Sequence, residues 1–258
     1  MEGNAGVPPT SSAPGLSIVL AVLNERPNLP ELLDRLLASP LPPWEAIVVD
    51  DGSADGSREY VAQRAERDPR VRLLRHDGRQ TTVAAQAMGI AAARGDVIAV
   101  MDADLQHPPE LLAGLAGALA GGASLAIASR YAPGGSPGPR SIRRRLLSRG
   151  AEWTAKLALP PARRVTDPVS GFFAFRRDAY RPLTPGLRGY KLLLFLLVMT
   201  EGSRCAEVPF RFEPRAEGKS KVTTGWGFVR LFLHEVWLAR RLRRELRAGA
   251  RPRPRIPE

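Results

Sequence analysis

Cysteine is almost missing from this sequence: Cys205 is the single one in 258 residues. An intrachain disulfide and a metal centre built from clustered cysteines are therefore excluded, and the composition fits a reducing compartment. Long apolar runs are missing as well. The longest, residues 16–23 and 192–199, fall far short of the roughly 18 or more residues that a membrane span needs. The expectation is a chain that does not cross a bilayer but can lie on one. The opening stretch MEGNAGVPPTSSAPG has neither the charged start nor the apolar run of a signal peptide. Small, polar and proline-rich, residues 1–15 read as a disordered tail. Aromatics are scarce, at 6%, and do not interleave with the arginines as a stacking platform for nucleic acid would. No recognised nucleic-acid-binding motif is present, so a basic nucleic-acid-binding protein is the weaker reading of the charge.

What the sequence has is arginine and a regular apolar pattern. The formal net charge is +12, with arginines crowded over 140–149 and 240–255. Such an excess points to a phosphate-bearing partner: a nucleic acid, an anionic membrane surface or a phosphorylated ligand. Hydrophobic residues make up 44%, which excludes a chain disordered throughout and suffices for one large domain or two small ones. Val- and Ile-rich runs at 16–23, 44–49 and 96–101 have the length of buried strands. Further strands are expected at 71–74 and 124–129. Between them, LPELLDRLLAS, SADGSREYVAQRAERDP (capped by Ser53 or Asp55), TTVAAQAMGIAAARG and residues 108–119 read as helices. Alternating strands and helices predict a mainly parallel α/β sheet, with ligands at the carboxyl ends of its strands. The second half predicts a basic helix over 141–159, a strand at 172–175, an apolar helix or strand pair over 189–200, with helix favoured by its leucines, and a strand over 205–212. A long amphipathic helix over 224–247 follows, with Phe228, Leu231, Phe232, Val236, Trp237 and Leu242 on its apolar side, and then a disordered basic tail over 248–258.

The stretch MDADLQHPP ends an apolar strand in two carboxylates and an amide. Continued as extended chain, Asp102, Asp104 and Gln106 share one face. Hard oxygen donors of this kind suit Mg²⁺ or Mn²⁺; the competing reading is Asp102 as a helix cap. IVVDDGSADGS is a second acidic strand end, and Asn24-Glu25 closes the first strand with a third polar pair. Three neighbouring strands ending this way outline one polar crevice.

Taken together, LAVLNE, IVVDDGSADGS, MDADLQHPP, ASRYAPGG, RRRLLSRGA, TDPVSGFFAFRR, GYKLLLFLL and EVPFRFEPRAEGKSKV resemble, in this order, the dolichol-phosphate mannosyltransferase branch of glycosyltransferase family 2. The resemblance runs from about residue 16 to 222. It implies an α/β GT-A fold, with a donor half over about 16–130 and an acceptor half over about 131–222. Donor binding then falls to Asn24, Glu25 and Asp51, the metal and donor diphosphate to Asp102, Asp104 and Gln106, and closure over the phosphates to Arg215 and Lys221. Arg130, Arg144 and Ser148 match the group that grips the acceptor phosphate; the four-residue spacing of Arg144 and Ser148 puts both on one helix face. His107 reads as a local hydrogen-bonding residue, and Asp167-Pro-Val-Ser-Gly171 as a tight turn shaping the acceptor side.

The implied reaction is inverting transfer of a hexose, mannose or glucose, from GDP-mannose or UDP-glucose to a polyprenyl phosphate, with Mg²⁺ or Mn²⁺. A phosphate monoester has a second pKa of about 6 and needs no general base; none is assigned. An acceptor hydroxyl, on a saccharide for instance, would need one. Intact Asp102, Asp104, Arg215 and Lys221 speak against an inactive scaffold. Three positions depart from the branch: Ala21 and Leu23 replace its usual proline and aromatic, and Phe195 stands where an acid is usual. Many members carry C-terminal transmembrane helices. Here a basic amphipathic helix follows, and two readings of it stand side by side: a helix packed on the core with a solvated basic end, or peripheral attachment at the inner, cytoplasmic face of the membrane, directly or through a membrane-anchoring partner subunit.

Overall fold

A computed structural model of the chain describes residues 15–76, 81–138, 142–183, 189–212 and 226–249, and of 142–145 the backbone alone. Arg215, Lys221, the side chain of Arg144 and nearly all of both expected tails lie outside the described residues.

Seven strands form one sheet: β1 (Leu16–Val22), β2 (Trp44–Asp50), β3 (Val71–Arg75), β4 (Val97–Asp102), β5 (Leu125–Ser129), β6 (Phe173–Arg176) and β7 (Cys205–Pro209). Their spatial order is β3-β2-β1-β4-β6-β5-β7. All neighbours are parallel except β6, which runs antiparallel to β4 and β5. The reason lies in its entry point. Phe173 pairs with Val100 near the carboxyl end of β4, and Arg176 pairs with Val97 at its start. The chain thus enters the sheet from the ligand side and runs back.

Among the described residues seven α-helices accompany the strands: α1 (Leu29–Ala38), α2 (Ser57–Arg67), α3 (Thr82–Ala92), α4 (Leu111–Ala120), α5 (Ile142–Ala158), α6 (Leu192–Met199) and α7 (Trp226–Arg247). Alternation along the strands sends side chains to two cores. Val19, Ile47, Val49, Ile98 and Val100 join one with α3, α6 and α7 residues; Ile18, Leu20, Ala46, Val48 and Met101 join the other with α1 and α4. On α1, Leu29, Leu32, Leu33 and Leu36 are buried at helical spacing. α3 lies close to the sheet at Gly89, where any Cβ would run into Val19 and Val49. α6 is buried on nearly all sides, as its uniformly apolar sequence demands.

Two expectations need correction. β4 ends at Asp102, and the next five residues bend, so Asp102, Asp104 and Gln106 do not continue one strand face. The apolar side expected for the last helix is in fact two sides. Phe232 and Val236 are buried, whereas Trp237 is 53% exposed.

Candidate active site

Parallel register brings the acidic strand ends together. Val22 stands beside Asp50 and Ala21 beside Asp102. Beyond β1, Asn24 adopts a positive φ of 51°, and its Oδ1 accepts the Ala54 N–H at 2.8 Å. Its own N–H donates to Ser53 Oγ, and that of Glu25 to Ser57 Oγ, both at 2.9 Å. The loops after β1 and β2 are thereby stitched into one wall. Glu25 and Asp51 are buried in it. Asp51 Oδ1 meets His76 Nδ1 at 2.7 Å, and buried Asp50 pairs with Arg58. His76 follows β3 directly; only the strand order reveals it as part of this wall.

The Asp102–Gln106 segment folds back on itself. Asp104 is 5% exposed, and its Oδ1 accepts the Gln106 N–H at 3.2 Å. Between them Leu105 holds φ at 62°, a left-handed conformation costing roughly 1–2 kcal/mol in a non-glycine residue. Burial of Leu105 and Ala103 in the α1–α4 core holds this turn in place. It leaves the Asp102 side chain 46% exposed at the sheet edge.

His107 closes the turn from below. Its Nδ1 accepts the Asp102 N–H at 3.0 Å, and its ring is buried against Phe172, Phe210 and Phe212. Burial pushes its pKa down, against the pull of Asp102 and Asp104. The ring is therefore neutral and protonated at Nε2, a hydrogen-bonding prop as the sequence reading expects. Gly171 faces the same spot: a Cβ there would sit 3.2 Å from both Asp102 Oδ2 and His107 Cε1. The missing side chain keeps the Asp102 carboxylate accessible.

On the acceptor side, Arg130 follows β5 and is buried with Asp167. Nε to Oδ2 and Nη2 to Oδ1 both measure 2.7 Å, a bidentate fork. Burial lowers the Arg130 pKa, but the Asp167 bonds outweigh it and leave the guanidinium more firmly charged. Asp167 is held in turn from β7, where the Glu207 carboxylate accepts N–H groups of Thr166 and Asp167. The Asp167–Gly171 turn is thus architecture, and its architectural task is to hold Arg130. Tyr131 joins this side to α5. Its hydroxyl lies 3.4 Å from Ser148 Oγ, the Arg149 guanidinium lies 4.7 Å from its ring centroid, and the Arg130 guanidinium lies 5.4 Å from it. Arg130 and Ser148 therefore meet around one ring, although 18 positions separate them in sequence.

Lys191 completes the site and was missed by sequence reasoning. It precedes α6, donates Nζ–H to the Val169 carbonyl at 2.9 Å, and senses the charges of Arg130, Asp102 and Asp167, with burial the main force lowering its pKa. The GYK triplet was visible in the sequence, but nothing in its spacing ties it to β4 or β5.

The sequence matches the family described as glycosyl transferase family 2 over residues 17–184. It is 39% identical over 208 residues to a dolichol-phosphate mannosyltransferase of Pyrococcus furiosus, covering 80% of this chain and 59% of that protein. It is 33% identical over 233 residues to a polyprenol monophosphomannose synthase of Mycolicibacterium smegmatis, covering 86% and 87%. The chain thus spans less than two thirds of the Pyrococcus relative. Among solved structures, glucosyl-3-phosphoglycerate synthase from Mycobacterium tuberculosis, in complex with Mn²⁺, UDP-glucose and phosphoglyceric acid, shares the fold. The TM-score is 0.64 at 21% identity, over 93% of this chain and 81% of that one.

Proposed function

The chain belongs to glycosyl transferase family 2, and from that premise we propose that it transfers a hexose, with inversion, from a nucleoside diphosphate sugar to a polyprenyl phosphate. The observation that carries this reading is a juxtaposition. The acidic β4 end meets Gly171 of the turn whose Asp167 holds Arg130, and α5, which bears Ser148, forms one wall of an apolar groove. That groove, of about 620 Å³, runs between α5 and α7 and is lined by Leu146, Leu147, Ala151, Phe228, Phe232 and Leu233. A carbon-lined groove on the helix that carries Ser148 fits the hydrocarbon chain of a phosphate monoester. The names of the relatives support the same acceptor, and mannose as the sugar, with GDP-mannose the first donor to test and UDP-glucose the second.

A divalent cation fits the donor set. Asp102 and Asp104 offer carboxylates and Gln106 an amide. Among the described residues no group of three or more His, Cys, Asp or Glu is placed to hold a metal ion; a site of two carboxylates and an amide would leave positions for phosphate oxygens. Mg²⁺ or Mn²⁺, when bound, would neutralise the diphosphate leaving group. Asn24, Glu25 and Asp51 would receive the nucleoside end of the donor, and Arg215 and Lys221 its phosphates. Arg130, already oriented by Asp167, would place the acceptor phosphate with Arg144 and Ser148 behind the anomeric carbon. That phosphate arrives with its negative charge, since its second pKa is about 6, so proton removal from the nucleophile is not required. His107, buried and neutral with Nδ1 engaged, is not placed to act as a base.

Among the described residues no helix is long and apolar enough to cross a membrane. The face that would meet the lipid carries Trp226, Leu233 and Trp237 on α7 and Leu146, Trp153 and Leu157 on α5, all exposed, with Arg240, Arg241 and Arg244 beside Trp237. Exposed tryptophan next to arginine suits an anionic lipid surface, at the inner face of the membrane where the polyprenyl phosphate would be met. To test the nucleophile, native chain, Mn²⁺ and labelled GDP-mannose or UDP-glucose are incubated with either polyprenyl phosphate or the free polyprenol. Lipid-soluble label is expected only with the phosphate; equal transfer to the alcohol would refute the phosphate as nucleophile.

A further inference from the structure

α7 has an exposed and a buried apolar face. Trp226, Leu233 and Trp237 are exposed on one, while Phe232, Val236 and Ala239 are buried on the other. Within the buried face lies a carboxylate, Glu235, 1% exposed. Its Oε1 accepts the N–H groups of Tyr190 and Lys191, each at 2.7 Å; Oε2 has no hydrogen-bond partner among the described residues. Gly189 stands directly against it, and any Cβ there would collide with the Glu235 carboxylate. An acid is costly at such a position, and burial raises its pKa to about 7; packing alone would be served by an apolar residue. Its bonds lead into the site. The Lys191 side chain reaches the Val169 carbonyl in the turn that holds Arg130 through Asp167 and faces Asp102 through Gly171.

We propose that Glu235 is a positioning residue: through the backbone N–H groups of Tyr190 and Lys191 it fixes the Lys191 ammonium on the Asp167–Gly171 turn, so that the seating of α7 sets the geometry of the site. α7 is then part of the machinery as well as an attachment surface. The kinetic part of this inference rests on the transfer reaction proposed above; the structural part does not.

The test compares full-length native chain with Glu235→Gln, which keeps an acceptor oxygen for both N–H groups, and Glu235→Ala, which removes it. Gly189→Ala displaces the carboxylate without deleting it and is a second route should Glu235→Ala fail to fold. Two quantities are read: acylation of Lys191 Nζ by an amine-reactive reagent, by mass spectrometry, and kcat against donor KM. In Glu235→Ala and Gly189→Ala, acylation is expected to rise and kcat to fall, each by about tenfold, with KM moving less than about threefold. Glu235→Gln is expected to stay within about threefold of native in both. Unchanged acylation and kcat in whichever disrupting variants fold would overturn the proposal, as would a Glu235→Gln defect equal to theirs. A native chain that makes no polyprenyl-phosphate sugar, with Lys191 acylation still responding, would sink the proposed reaction and leave the positioning role standing.

Discussion

Asp104 is buried, and its Oδ1 accepts the Gln106 N–H of its own turn. Asp104→Ala is expected to keep the fold, by circular dichroism, and to lower transfer by on the order of 10²–10³-fold, the scale typical of losing one electrostatic stabiliser. Full activity in a folded variant would remove this carboxylate from the site. Asp167 is different, because it stabilises as well as positions. Breaking a buried ion pair by removing one partner costs about 3–5 kcal/mol, so Asp167→Ala is expected to shift urea unfolding by that amount and to lose transfer. A variant with native stability would mean that Arg130 finds another partner. At this scale the sequence was partly legible. MDADLQHPP stood out because two carboxylates and an amide follow an apolar strand, and the structure places it at the carboxyl end of β4. His76, Tyr131 and Lys191 were silent. Each enters the site through contacts that local pattern does not encode: strand order for His76, a ring shared between β5 and α5 for Tyr131, and a carbonyl 22 positions away for Lys191.

Among the elements, apolar periodicity located all seven strands to within a few residues, because each is a short apolar run; the inner five are largely buried, while β3 and β7 at the sheet edges are half-buried. It could not give the direction of β6, since a period-two pattern reads the same both ways. Nor could it show that the chain bends after Asp102, where the buried side chain of Leu105, and not backbone preference, selects the left-handed turn. The α7 pattern was read as one apolar stripe because Trp237 and Val236 look alike on a hydropathy scale; only packing against α6 distinguishes them. Glu235 on that helix yields a pH prediction. Its pKa rises from 4.5 in the unfolded chain to about 7 in the fold. The folded state therefore holds the extra proton between those values, and the associated stability is present at low pH and lost as pH rises through about 7. His107, lowered by burial, acts in the opposite sense below about 6.5, so a variant comparison is needed to isolate Glu235. The urea midpoint of the native chain is expected to fall more steeply than that of Glu235→Gln between about pH 5 and pH 8. Parallel curves would contradict the raised pKa.

For the whole molecule, a basic chain with no membrane-spanning helix among its described residues is proposed to meet a lipid substrate through the exposed faces of α5 and α7. Removing α7 would be a poor test, because Phe232, Val236 and Ala239 belong to the core. Changing Trp226, Leu233 and Trp237 together to Glu touches only exposed positions. It is expected to leave the melting temperature within a few degrees of native, as surface substitutions usually do, while abolishing sedimentation with anionic vesicles. Undiminished vesicle binding would place the attachment elsewhere. The charge excess was plain in the sequence, but its arrangement around an apolar face depended on the docking of α7 beside α5.

The central claim is that a site with a metal-suited acidic strand end and an aspartate-braced arginine serves a phosphate nucleophile. Its most direct test offers the native chain, on vesicles with Mn²⁺ and labelled nucleotide sugar, polyprenyl phosphate and a saccharide acceptor in the same mixture. Label is expected in the lipid-extractable fraction and is expected to be lost in Asp104→Ala. Label found only in the saccharide would contradict it.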